Sequence, residues 1–174
     1  MLIKISGKKN IDSLKKCNNI EVTKEERKVL EKWSDKDYIL DSDKQIPITN
    51  KLFLNQDFPG KKDVIREIKS KLNSYKTQDL KKNKFDDKQF ISFEDTIEKI
   101  MVSKLRCYYC KKSIKLIFNE KRDPKQWTLD RLDNNLGHTK DNTVIADLEC
   151  NLKRRRQDDN KFLFSKQVKV ILVE

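Results

Sequence analysis

Histidine occurs once and cysteine four times in 174 residues, and no apolar run is long enough for the core of a signal peptide or for a membrane span. The missing runs argue against a secreted or membrane-spanning protein and predict an intracellular chain. That setting argues in turn against a disulfide framework, so cysteines that occur as a pair are expected to bind metal. No internal repeat or low-complexity tract is present. Apolar residues are also scarce, at 36% against 39% charged. The core is therefore thin for the length, and solvated helices must carry much of the charge. A chain of this size permits one compact unit, or a small domain with an elaborated flank.

The charge is one-sided. Forty Lys and Arg face 28 Asp and Glu, a formal net charge of +12. Such an excess attracts polyanions, above all nucleic-acid phosphates, and the attraction weakens as salt rises. Lysine-rich coding in an AT-rich genome yields the same excess without any partner, so charge alone does not decide.

The hydrophobic pattern gives a mainly helical first half. Leu2, Ile3 and Ile5 alternate as a short edge strand or a loose end. Thr23-Lys24-Glu25-Glu26 has capping-box form and predicts a short helix through Trp33. Residues 34–60 hold Pro47 and Pro59 among Asp, Ser and Asn and read as an irregular connection. From Lys61 to about Lys82, Val64, Ile65, Ile68, Leu72 and Tyr75 recur at helical spacing, which predicts a long amphipathic helix with a charged outer face. After a polar break at 83–89, Ser92 caps a helix through Ile97, Ile100 and Leu105. Residues 114–118, Ile-Lys-Leu-Ile-Phe, predict a strand and 119–126 a turn. The apolar tail from Phe162 to Val173 predicts a short helix and a final strand that pack back.

Cys107-Tyr108-Tyr109-Cys110 is a Cys-x2-Cys knuckle, the spacing at which two thiolates from one tight turn meet a tetrahedral Zn²⁺. A second half-site appears as Asp147-Leu148-Glu149-Cys150, with Asp where a second cysteine would stand. Cys107, Cys110 and Cys150 are the thiolate ligands this predicts. Asp147 is either the fourth ligand or the N-cap of the helix that follows Thr143-Val144-Ile145-Ala146. The alternative is a metal-free knuckle of small buried hydrophobes. Cys17 has no partner spacing and reads as structural.

Between and beyond these half-sites lie Leu129-Asp130-Arg131-Leu132-Asp133-Asn134, Gly137-His138-Thr139, Asn142 and Cys150-Asn151-Leu152-Lys153-Arg154. In order and spacing, residues 105–156 resemble the HNH, or ββα-metal, endonucleases, and the chain looks similar to HNH-like proteins of large DNA viruses. The resemblance implies an α+β fold in three parts. A mainly helical flank spans 1–104, a zinc-stapled ββα-metal core 105–156, and a tail that packs back 157–174. It implies hydrolysis of phosphodiester bonds in DNA. One Mg²⁺, or Mn²⁺, would be held by Asp130 at the end of the first strand and Asn151 on the helix, with Asn142 bracing the loop. Lys153, Arg154 and Arg155 on the helix would meet phosphate. A viral source would put the protein in the host cytoplasm, the nucleus or the virion.

The chain departs from the family where the base is expected. Histidine normally follows the acidic residue directly, and here that residue is Arg131, which stays protonated and cannot serve as an ordinary base. Arg131 in the cleft would instead be a phosphate-binding cation. His138, seven positions on, is a relocated base, a contact to zinc or phosphate, or an exposed loop residue. Three function classes follow: a metal-dependent endonuclease, a degenerate member that binds nucleic acid without cutting, and a basic virion or packaging protein.

Overall fold

A computed structural model describes residue 11 and residues 25–168. The expected edge strand near the amino terminus and the expected final strand lie outside those residues. A 3-10 turn, Lys28–Lys32, opens the described chain and buries Leu30, with Trp33 buried just after it. It stands where a short helix is expected from the capping box, whose Thr23 and Lys24 also fall outside.

Residues 34–60 are not an irregular connection. They hold α1, Lys36–Leu40, and α2, Ser42–Phe53, with Pro47 inside α2. Asp41 caps α2 by accepting the Asp43 amide at 2.9 Å. The buried face of α2 is Gln45, Ile48, Thr49 and Leu52, half of it polar, so helical periodicity is faint in the sequence. α3, Lys61–Lys81, buries Val64, Ile68 and Leu72 as the pattern predicts, and Glu67 and Asp79 with them. Gly60 precedes it at φ +76°, where a Cβ would meet Ile39 Cδ1 at 2.1 Å, so both backbone conformation and packing require glycine. α4, Phe93–Val102, starts at Ser92, whose Oγ accepts the Asp95 amide.

The run 114–118 is not a strand, although Ile114, Leu116, Ile117 and Phe118 are buried. Lys115 makes only an isolated bridge, its amide donating to the Lys125 carbonyl and its carbonyl accepting from the Trp127 amide. Beyond it the partner is a side chain: Gln45 Oε1 accepts from the Leu116 amide at 2.7 Å, and Gln45 Nε2 donates to the Ile117 carbonyl at 2.9 Å. At Leu116 and Ile117 one side-chain amide thus satisfies the groups a neighbouring strand would have satisfied.

β1, Trp127–Arg131, and β2, Thr143–Asp147, form an antiparallel pair in the register Trp127↔Asp147 to Arg131↔Thr143. α5, Leu148–Arg154, follows β2 directly, and α6, Asp159–Gln167, lays Phe162 edge-on against Tyr109. Both outer edges of this pair are covered. Along β1, Lys71 Nζ donates to the Trp127 carbonyl and Tyr75 Oη accepts from the Leu129 amide. Along β2, the Tyr108 amide donates to the Ile145 carbonyl and Lys99 Nζ to the Thr143 carbonyl. Such cover removes the unpaired groups that make strand edges adhesive.

The match between α3 and β1 is geometric. Four helical residues rise about 6 Å and two strand residues about 6.6 Å. Lys71, Tyr75 and Asp79 therefore fall opposite Trp127, Leu129 and Arg131 in step, with Asp79 Oδ1 3.7 Å from Arg131 Nη1. α5 takes one face of the pair, where Asn151 bonds Thr128 and Arg154 bonds Asp130. No helix among the described residues is long and apolar enough to cross a membrane.

Candidate metal centre and active site

The knuckle, the end of β2 and the first turn of α5 bring Cys107, Cys110, Asp147 and Cys150 together, with one ligand atom from each lying within 4.8 Å of all the others. Three sulfurs and a carboxylate oxygen at that spacing can hold a metal ion such as zinc, whose sulfur ligands stand about 2.3 Å from the ion. Asp147 also caps α5. Its Oδ1 accepts the Cys150 amide at 2.5 Å, while Oδ2 accepts from the Cys110 thiol at 3.2 Å. The two roles that compete in the sequence are shared between two oxygens. The Asp147 amide points at Cys107 Sγ from 3.4 Å. Burial pushes the Cys107 thiol up to about 11 and raises Cys150 as well.

A second centre lies where the β1–β2 loop meets the end of α3. Asn142 closes the loop: its Oδ1 accepts the Asp133 amide at 2.8 Å, and its Nδ2 donates to the Asp133 and Gly137 carbonyls, both at 2.9 Å. The closed loop turns His138 inward, to 3% exposure, which removes the reading of an exposed loop residue. His138 Nδ1 lies 2.8 Å from Asp79 Oδ1, and Tyr75 packs against the imidazole with ring centroids 4.7 Å apart. Burial holds the imidazole below its ordinary value. Asp79 pulls the other way, and the cations Arg131 and Lys82 add to the lowering.

His138 opens on a recess of about 250 Å³ that also receives Tyr75, Asp130, Arg131 and Asn151, with Lys82 and Arg155 at its margin. The recess shares Lys82, Arg131, Asn134 and Arg155 with a broad trough of about 1160 Å³, which adds Lys84 and Arg156 and also Asp133, Asp158 and Asp159, so that five cations stand there against three carboxylates. Lys82, Arg155 and Arg156 are exposed. An imidazole held below its ordinary value beside an open trough with exposed cations is chemically suited to accepting a proton near an anionic group.

The expected Mg²⁺ ligands do not form a pair here. Asp130 is buried and its carboxylate is occupied: Oδ2 accepts from Arg154 Nε at 2.7 Å and from Tyr109 Oη at 2.7 Å, and Oδ1 lies 3.3 Å from Arg154 Nη2. Asn151 Nδ2 donates to Thr128 Oγ1 at 3.0 Å. A divalent cation on Asp130 would stand against a guanidinium that already neutralises it, so these residues do not fit Mg²⁺ or Mn²⁺ as they stand.

The arginines expected to meet phosphate also divide. Arg154 is fully buried and bonds Asp130 and the Arg131 carbonyl, so it does not reach nucleic acid. Its apparent place on the phosphate face is corrected by the pull of a buried carboxylate. Arg131 Nη1 donates to the Leu136 carbonyl at 3.0 Å and braces the loop from the floor of the recess. Arg155 is exposed on the trough. Lys153 pairs with Glu149 at 2.5 Å beside a different hollow. Sequence reasoning misses Asp79, Lys82 and Tyr109. The one available signal for Asp79 is its four-residue step from Tyr75 on the inner stripe of α3.

No family model, curated protein or solved structure matches this chain.

Proposed function

We propose that the chain is an HNH-like endonuclease that hydrolyses phosphodiester bonds in DNA, with a structural Zn²⁺ on Cys107, Cys110, Asp147 and Cys150. The strand–loop–strand–helix order beside a Cys3Asp cluster supports the reading. The observation that carries it is His138, buried on Asp79 at the head of a recess that opens into a basic trough. The zinc ion would join the knuckle, β2 and α5 and leave the chemistry to the recess.

In this reading His138 takes a proton from water, the water oxygen bonds to phosphorus, and the ester P–O bond breaks, its leaving oxygen taking a proton from solvent. Lys82, Arg155 and Arg156 meet the phosphate charge, and Arg131 and Asn142 keep the loop closed over the histidine. Nicking of supercoiled plasmid, assayed with and without Mg²⁺ or Mn²⁺, tests it. His138→Ala must abolish nicking, and activity that survives would trace to a contaminant and end the proposal.

The Asp130–Arg154 pair favours a second reading, a non-cutting member that binds nucleic acid. Salt-sensitive DNA binding with no nicking under any metal condition would select it.

A further inference from the structure

Asp79 closes α3 and is 0% exposed. A carboxylate so buried must be met by donors, and two of them come from one residue. The His138 amide donates to Oδ2 at 2.7 Å, and His138 Nδ1 faces Oδ1 at 2.8 Å. The approach depends on Gly137, where a Cβ would lie 3.1 Å from Asp79 Oδ2 and 2.4 Å from the Lys84 carbonyl. Tyr75, one turn earlier on α3, packs against the ring at a tilt of 37°. The other charged groups about the ring are Arg131 from β1, Lys82 after α3, and Asp130 and Arg155 along the recess.

We infer that Asp79 is the positioning residue for His138: it holds the imidazole as the Nδ1–H tautomer and leaves Nε2 as the nitrogen that accepts the proton. The inference rests on the reading of His138 as the base. The amide bond alone would suffice to anchor the loop, so the bond to Nδ1 is what distinguishes a positioning role from a clamp. Asp79→Asn separates the two, because an amide has one acceptor oxygen where the carboxylate has two. The backbone N–H cannot change its donor role, whereas the imidazole can change tautomer. The substituted side chain would therefore give its oxygen to the amide and its NH₂ to Nδ1, forcing the proton onto Nε2.

His138 is the only histidine in the chain, so ring-nitrogen NMR of ¹⁵N-histidine-labelled, zinc-loaded protein reads one spin system. The expected result at pH 7.5 is a neutral ring protonated at Nδ1, converting to the Nε2–H form in Asp79→Asn. Nicking by that variant should fall at least about a hundredfold, as wrong-tautomer variants of other buried Asp–His pairs do. An Nε2–H tautomer in the unsubstituted protein overturns the inference without recourse to any variant, and so does an unchanged tautomer in Asp79→Asn. If the tautomers behave as expected while His138→Ala still nicks, the catalytic reading has failed and the positioning stands.

Discussion

The Arg154 guanidinium and the Asp130 carboxylate form a buried ion pair 2.7 Å apart, with Arg154 side-chain exposure at 0% and Asp130 at 7%. Tyr109 Oη completes the group from the knuckle, so the pair ties β1, α5 and the Cys-x2-Cys turn to one point. Breaking such a pair from one side leaves an uncompensated charge in the interior. Arg154→Met should destabilise the fold by about 3–5 kcal/mol in urea denaturation. Asp130→Asn combined with Arg154→Met should recover most of that loss. A single-variant cost under about 1 kcal/mol would place the pair among ordinary surface ion pairs.

Asp147 predicts a split between cap and ligand. Asp147→Asn keeps a capping oxygen and loses the charge, whereas Asp147→Ala loses both. With metal removed by chelation, Ala should be less stable than Asn by about 1 kcal/mol, the usual worth of an N-cap. With zinc present, both should bind it more weakly than the parent, which should carry one ion per chain by metal analysis. Zinc-free protein that melts identically to the metal-loaded form would refute a structural ion.

His138 gives stability a pH dependence of known sign. Its folded pKa lies below the ordinary value of 6.5, so the unfolded chain binds more protons in the window beneath that value. Its contribution is therefore complete above pH 6.5 and is lost as pH falls towards the folded pKa. The parent should lose more stability than His138→Gln between pH 7.5 and 5.5, and equal losses would contradict the burial.

Lys71 makes the complementary case at alkaline pH. Desolvation lowers its ammonium from 10.5 to about 7, against the pull of Glu67 and with help from Arg27, while Nζ lies 4.6 Å from the Trp127 ring centroid. Between those values the unfolded chain holds the extra proton, so stability from this group grows as pH rises and is lost as pH falls through about 7. Unfolding of zinc-loaded parent from pH 7 to 8.5 should therefore show a rising component that Lys71→Met lacks. Parallel curves would mean that the aromatic rings keep Lys71 charged.

The parts legible in the sequence are those where residue type and spacing name the job directly. Val64, Ile68 and Leu72 announce α3, Ser92 announces α4, and the paired cysteines with Asp147 and Cys150 announce the Cys3Asp cluster that could hold a metal ion. Legibility fails where polar residues do buried work. Gln45 and Thr49 hide the inner face of α2, and Gln45 takes the place of a strand beside Leu116 and Ile117. Asp130 and Arg154 each look like a site residue alone, and only their meeting across β1 and α5 turns them into a structural pair. Asp79 sits in a polar helix end, 59 positions from its partner His138, and its four-residue step from Tyr75 is the one local mark it carries.

The spine Lys71-Tyr75-Asp79 has a consequence for how such a motif can be moved between proteins. Its three side chains cap the Trp127 carbonyl, accept the Leu129 amide and hold His138, all from the amino-terminal side of residue 105. A graft of residues 105–156 would carry the cysteine cluster intact and arrive with an open strand edge and an untethered imidazole. The transferable unit is therefore longer than the recognisable motif, and a host scaffold would have to supply a helix running alongside β1 with hydrogen-bonding side chains at four-residue intervals.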